Sequence, residues 1–419
     1  MFISRIRGRF FYGWVVAVTF FLIGSLVYGI RYSYGVFFDS IQGEFALSRA
    51  GTSGIYSAYW VLCAVLSLVG GWAVDRYGPK ALYLFMGAFT GLSLVLTSRI
   101  PTDSSWQLYI TYSLLLALGT GPAFAVITAT TSRWFYKKRG LAMGISSAGG
   151  GVGAFVFAPF AAYLITSVGW RWSFVILGLI TGLLIMALSL WLKRDPAEIG
   201  ALPDGVKANP ARTGLPGEEG RAWAAGLSLP QSLKARSFWL FAVSWVFYAF
   251  CLHLVLVHLV PHAMDLGFSR DEGARFISVM GAVSIVSRLL MGLAADRMGR
   301  KAASLICSLA HVVGLVWLIW AQELWMLYVF AVIYGFAYGG IIGPLSSLVG
   351  DVLGVRSIGM IFGALGISWG IGAALGPWLA GRIFDTTGDY TQSFMIGAIL
   401  IALATVLVSL ARPEIRRSE

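Results

Sequence analysis

Residues 281–301 read GAVSIVSRLLMGLAADRMGRK. The right-hand end, DRMGRK, carries the charge of a loop. Arg288, however, stands among Val, Ile, Leu and Met, about two helical turns before the first acid, Asp296. The residues before that loop belong to one of twelve apolar runs, at roughly 12–37, 50–74, 80–98, 106–131, 140–167, 172–192, 238–262, 273–295, 302–320, 324–349, 357–382 and 391–411. A helix of ~20 residues rising 1.5 Å each crosses a hydrocarbon core of about 30 Å, so each run predicts one crossing. The runs are too long and too uniformly apolar for the alternating strands of a membrane barrel. The expected fold class is an all-α membrane protein with twelve transmembrane helices.

Composition excludes a soluble protein. The 419 residues are 58% hydrophobic and 12% charged, with mean hydropathy +0.78, where soluble domains run nearer a quarter charged. The first run exceeds the apolar core of a cleavable signal and no small-residue cleavage site follows it. Cys63, Cys251 and Cys307 all fall inside apolar runs, so they read as packing residues with no disulfide framework and no metal site.

The net charge of +12 would suit a nucleic-acid binder, but its distribution fits a membrane better. With the N-terminus inside, the outer loops hold only Arg49, Arg99, Arg171, Arg270, Arg275 and Arg382 of the 31 Lys and Arg. Arg31 and Arg288 lie within runs, and the rest fall on the inner side. That bias puts both termini in the cytoplasm. Topology explains the basic balance, and no nucleic-acid partner is needed.

The segment 193–236 is the one long polar stretch, rich in Pro, Gly and charge, and reads as a linker. It divides the chain into an N-terminal half, 1–192, and a C-terminal half, 237–419. The halves repeat each other. GGWAVDRYGPKAL (70–82) matches MGLAADRMGRKAA (291–303) in register: Gly71 with Gly292, Asp75 with Asp296, Arg76 with Arg297, Gly78 with Gly299 and Lys80 with Lys301. A second echo pairs RGLAMGISSAGGGVGAFVFAP (139–159) with RSIGMIFGALGISWGIGAALGP (356–377). Two pseudo-symmetric six-helix halves are the architecture of rocking secondary transporters.

The pattern G-x-x-x-D-R-x-G-x-K, present twice, resembles the signature of the major facilitator superfamily. FYGWVVAVTFFLIGSLVYGIRYSYGVFF (11–38) and RWFYKKRGLAMGISSAGGGVGAFVFAP (133–159) resemble the first-helix and fifth-helix stretches of monocarboxylate transporters and of their bacterial oxalate/formate-exchanger relatives. The resemblance covers essentially the whole chain and implies the major facilitator fold with alternating access. Small residues in the second echo (Gly144, Gly149, Gly150, Gly151 and Gly153, then Gly363, Gly366, Gly370, Gly372 and Gly376) let neighbouring helices approach closely.

None of the nineteen acids falls at mid-depth of a run. Arg288 is eight residues before Asp296 and Arg31 eight before Asp39, about 12 Å along each helix. A guanidinium at that depth costs at least ~2.5–3.5 kcal/mol and is tolerated when it faces a wet cavity and binds an anion. Snorkelling spans too little of such a distance. The resemblance implies that Arg288, at the position of the eighth-helix arginine, binds the substrate carboxylate, which a planar fork of donors grips bidentately. Arg31 is a second candidate, offset by one residue from Tyr32, where related transporters carry a lysine.

Two departures shape the substrate reading. Related monocarboxylate transporters carry an Asp four residues before the arginine; here that position is Ser284. Oxalate exchangers carry an eleventh-helix lysine, where this chain offers Trp369. A small monoanion such as lactate or pyruvate is therefore expected, taken up with a proton. His253 is the candidate proton carrier beside Arg288, with His258 a second titratable group in the same run. His262 and His311 read as end-of-helix or lipid-side residues. Tyr28 with Tyr32, and Tyr334 with Tyr338, are spaced by four and predict two pocket-facing pairs. Ile145 is a lining candidate from its place in the fifth-helix motif. Asp75, Arg76, Asp296 and Arg297 are expected to gate through charge pairs across the cytoplasmic face.

The expectation is thus a multi-pass carrier of the inner membrane, working as a monomer and without a cofactor, metal or catalytic residue. An oxalate/formate-type anion exchanger is the alternative in the same class, and a transporter-derived membrane sensor is the alternative in another. Drug efflux favours a cavity acid, and none is present. No Walker sequence implies ATP, and no nucleophile–base pair marks an enzyme.

Overall fold

The computed structural model describes residues 11–135, 139–201, 227–354 and 358–412. Among them, ten helices are long and apolar enough to cross a membrane: α1 (Gly13–Glu44), α2 (Arg49–Thr97), α3 (Tyr109–Trp134), α4 (Leu141–Ser189), α5 (Arg236–Asp265), α6 (Arg270–Met298), α7 (Arg300–Trp320), α8 (Leu324–Leu353), α9 (Ile358–Thr387) and α10 (Thr391–Leu410). Most of the expected linker, 202–226, lies outside the described residues, as do the extreme ends, 1–10 and 413–419.

Two of these helices, α2 and α4, have 49 residues each. Unbroken, each would run about 74 Å, more than twice a hydrocarbon core. Each is interrupted by a glycine in the left-handed region: Gly78 at φ +78° and Gly169 at φ +80°, a backbone that a Cβ would strain. The packing shows that the chain doubles back there. Cys63 and Leu66 lie against Gly121, while Met86 and Thr90 lie against Gly119. Residues 66 and 90, about 36 Å apart on an unbroken helix, thus meet the same turn of α3. Likewise the Tyr12 hydroxyl donates to the Trp191 carbonyl at 2.8 Å, while Ser146 reaches the Ala17 carbonyl at 3.4 Å. Both ends of the α4 hairpin therefore meet the start of α1. The sequence counts twelve runs and the described residues form ten spanning helices because a one-glycine turn between two apolar runs leaves no gap in the helix. Each run occupies its own helical segment.

The segment ends fall on two faces. Tyr12, Gly78, Trp191, Arg236 and Arg412 mark what we call the terminal face. Phe45, Gly169, Asp265 and Tyr390 mark the distal face. The halves meet across a seam closed on the distal side. There Arg49, at the start of α2, forks onto Asp265 at 2.6 and 2.8 Å, donates to the Tyr390 hydroxyl, and lies 3.7 Å over the Phe384 ring. Asp385 accepts the backbone N–H groups of Arg49 and Ala50 at 2.8 and 2.9 Å, where a helix N-terminus favours an anion. Buried His258 bridges Tyr390, Ser53 and the Pro377 carbonyl.

Deeper in the seam, backbones touch. A Cβ on Gly281 would lie 2.6 Å from Phe155 N and 2.8 Å from the Gly151 carbonyl. Ser57 donates to the Ala374 carbonyl at 2.5 Å, and a Cβ on Gly370 would meet Ala64 at 2.6 Å. Among the described residues, no hydrogen bond or ion pair joins the halves between the Arg288–Ser147 contact and the terminal face. The ion pairs on that side among the described residues, Arg133–Asp75, Arg194–Asp195 and Arg300–Asp351, do not join one half to the other. Among the described residues, the contacts that join the halves lie at the distal face and at mid-depth.

Candidate functional site

Arg288 sits where the closed part of the seam ends. The α6 turn that carries it packs tightly on α8, where Gly339 lies against Ser284 and Gly340 against Ser287. Its guanidinium is half-buried and points across to the other half. Nη1 donates to the Ser147 carbonyl of α4 at 2.6 Å and Nη2 to the Tyr338 hydroxyl of α8 at 3.3 Å. The position a Cβ of Gly150 would take is 3.6 Å from the Tyr28 ring and 3.8 Å from Arg288 Nη2. Tyr28 of α1 and Arg288 thus face each other over a bare patch of α4. Tyr32, one turn along, lies 5.7 Å from Tyr28, the two rings tilted by 44°.

Arg31 occupies a different setting. It is 3% exposed, and its Nη2 donates to the Thr120 carbonyl at 2.5 Å. Tyr28, Trp60 and Tyr59 surround the guanidinium at 5.1, 5.2 and 5.8 Å, close enough for cation–π attraction. Neither Arg31 nor Arg288 forms an ion pair among the described residues, and each has a buried Nε without a hydrogen-bond partner. A guanidinium held by carbonyls, hydroxyls and rings alone keeps its whole charge in a poorly polarisable setting.

His253 is buried beside Trp60 at 4.4 Å, Trp369 at 5.8 Å and Tyr56 at 6.1 Å. Its Nδ1 lies 2.8 Å from the Ala249 carbonyl. A carbonyl only accepts, so Nδ1 carries a hydrogen. The ring's Nε2 has no partner. Through Trp60 the histidine adjoins the Arg31 nest, so two of the sequence candidates that lie far apart in the chain are neighbours. Trp369 also packs on Trp245 at 6.0 Å.

The structure does not gather every candidate. Tyr334 lies inside the C-terminal half, its ring 4.9 Å from His311 and against Gly314 of α7. Its spacing of four from Tyr338 leaves an offset of about 40° around the helix, and α8 sits between α6 and α7, so the two tyrosines serve different neighbours. His311 itself is buried between Tyr248 and Tyr334. The lipid-side reading of His311 is corrected: the aromatics that cover it come from other helices. Ile145 is half-buried on the α4 turn before Ser147. Ser284 donates to the Gly281 carbonyl at 2.7 Å and lies 2.8 Å from the Cβ position of Gly151, a helix contact with no room for a carboxylate. Asp75 receives Arg133 of its own half; Arg76 stacks over Trp72 and Tyr77 at 5.7 Å; Asp296 and Arg297 are exposed.

Sequence reasoning missed Tyr56, Tyr59 and Trp60, although YSAYW (56–60) shows an aromatic face at helical spacing. It also missed Thr120 and Ser147. These two act through main-chain carbonyls, which no residue type advertises.

The family profile described as Major Facilitator Superfamily matches residues 20–292 and 263–419. Monocarboxylate transporter 13 of Rattus norvegicus is 30% identical over 402 residues, covering 95% of this chain and 89% of the relative. Monocarboxylate transporter 12 of Xenopus laevis is 26% identical over 419 residues, covering 96% and 89%. Among solved structures, a bacterial homologue of the human lysosomal transporter Spinster, inward-facing and occupied, superposes with TM-score 0.73 at 19% identity, covering 96% of this chain and 97% of that one. A D-xylose–proton symporter superposes with TM-score 0.72 at 15% identity, covering 96% and 98%.

Proposed function

The chain belongs to the Major Facilitator Superfamily as a monocarboxylate-transporter-like member, and on that premise we propose that its cargo is a small monocarboxylate of lactate or pyruvate size. The observation that carries this reading is Arg288: a guanidinium at the edge of the inter-half seam, with only neutral partners, Ser147 and Tyr338. A carboxylate reaching the seam takes the fork of donors, with the Tyr28, Tyr32 and Tyr338 hydroxyls beside it. Ile145, one turn before the bare patch of α4, and Trp369, beside His253, are further lining candidates in this reading.

Transport proceeds by alternating access, the halves 1–192 and 237–419 rocking about the site and joined through 193–236. The cation neutralised by substrate no longer opposes closure of an apolar cavity. A proton travels with the anion, and His253 Nε2 holds it. Asp75, Arg76, Asp296 and Arg297 close the terminal face in the opposite state, and that face is cytoplasmic, in the inner membrane, as the distribution of Lys and Arg supports.

The test is uptake of radiolabelled pyruvate, lactate and oxalate into liposomes holding the purified protein. Pyruvate or lactate uptake driven by an inward proton gradient, lost in Arg288→Ala, is the expected result. Counterflow that ignores the gradient assigns an exchanger. Unchanged flux in Arg288→Ala removes the site.

A further inference from the structure

Outside the transport site, a second concentration of charge is built into the terminal face. Where the chain turns at Gly78 and the α4 hairpin ends, a cavity of about 310 Å³ is lined by Arg76, Lys80, Lys193 and Arg194, with Glu198 the one acid. That volume falls within the range of small-ligand sites, roughly 300–1,000 Å³. Glu198 accepts the backbone N–H of Arg194 at 3.0 Å, so one carboxylate stands against four cations. Arg194 reaches only its neighbour Asp195, at 3.9 Å, and its Nε is buried without a hydrogen-bond partner. Among the described residues Arg76, Lys80 and Lys193 form no ion pair with an acid.

The repeated turn in the other half is different. There Arg300 pairs with Asp351, and Lys301 donates to the Ala411 carbonyl at 3.2 Å. Among the described residues the aligned arginines, Arg76 and Arg297, both lack an ion pair, whereas Lys301 has its carbonyl partner and its counterpart Lys80 has none.

We propose that the cavity at the Gly78 turn binds the headgroup phosphate of an anionic phospholipid. The cations supply the charge, and the helix that resumes at Pro79 directs its N-terminal dipole toward the same space. A lipid fits better than a soluble anion because the rim is apolar. Tyr77 and Leu190, both lining, and the neighbouring Trp72 and Trp191 are all more than half exposed at this level of the membrane, as in an interfacial aromatic belt. Basic pockets at the ends of membrane helices hold such headgroups, and each cation contributes about a factor of five in affinity.

The test is native mass spectrometry of the full chain released from nanodiscs of mixed phosphatidylcholine and phosphatidylglycerol. The unaltered protein retains one tightly held phosphatidylglycerol. Lys80→Gln/Lys193→Gln/Arg194→Gln weakens that retention roughly 100-fold, whereas Arg297→Gln at the equivalent turn leaves it unchanged. If the triple variant does not fold, Lys193→Gln and Arg194→Gln singly are expected to lose about fivefold each. Charge-preserving Lys80→Arg/Lys193→Arg keeps the lipid. Retention unaffected by removal of the charges overturns the proposal, as does displacement of the lipid by soluble glycerol phosphate.

Discussion

Two guanidinium groups lie within the membrane span, and their surroundings differ. Arg31 is packed into its own half, bonded to a backbone carbonyl and enclosed by three rings. Arg288 is half-buried and reaches into the opposite half, to a carbonyl of an exposed residue, Ser147. The first is a fixture of the fold that sets a positive potential. The second bridges the halves: its partners are Ser147 on one and Tyr338 on the other. The same residue type at the same sequence distance from an acid therefore supports two roles, and what separates them is whether the partners belong to one half or to two.

The strongest way to break this comparison is at Arg288. Arg288→Ala is expected to lower monocarboxylate uptake on the order of 100-fold or more, because a buried charged partner is lost, with the protein still monodisperse in detergent. Equal loss with Arg288→Lys would show that the planar fork matters as well as the charge. Arg31→Gln comes next: thermal unfolding should fall measurably through loss of the cage, and uptake should drop about tenfold through loss of a nearby cation. Uptake in Arg31→Gln as low as in Arg288→Ala would mean that both arginines grip substrate. His253→Phe should leave counterflow within a few fold of wild type while abolishing stimulation by a proton gradient; retained stimulation places the proton elsewhere. The smallest effect is expected from Tyr338→Phe, which removes one hydroxyl at 3.3 Å from Arg288 and should raise the KM for uptake a few fold, consistent with ~1 kcal/mol for one hydrogen bond.

Much of this was legible in the chain. The apolar runs, the repeated turn at 70–82 and 291–303, and the mid-run arginines without an acid at their depth need only hydropathy and charge to be read. Two kinds of information were not. Contacts made by main-chain carbonyls, as at Thr120 and Ser147, carry no residue signature. Rotational placement on a helix was the other, since Tyr334 and Tyr338 share a stripe by spacing yet meet different helices. Arg31 belongs to this second class: one residue of displacement turns a side chain by about 100°, and only the packing shows which way it faces.

The close contact of Gly151 with Gly281 has one more implication. Because the distal closure there is backbone against backbone, a single added methyl at Gly281 would meet Phe155 N at 2.6 Å with nothing soft to yield. Such a wedge penalises this arrangement of the halves. If they alternate as proposed, Gly281→Ala is expected to bias the population toward the distally open form, a means of trapping it for imaging without a toxin, an antibody or a crosslink.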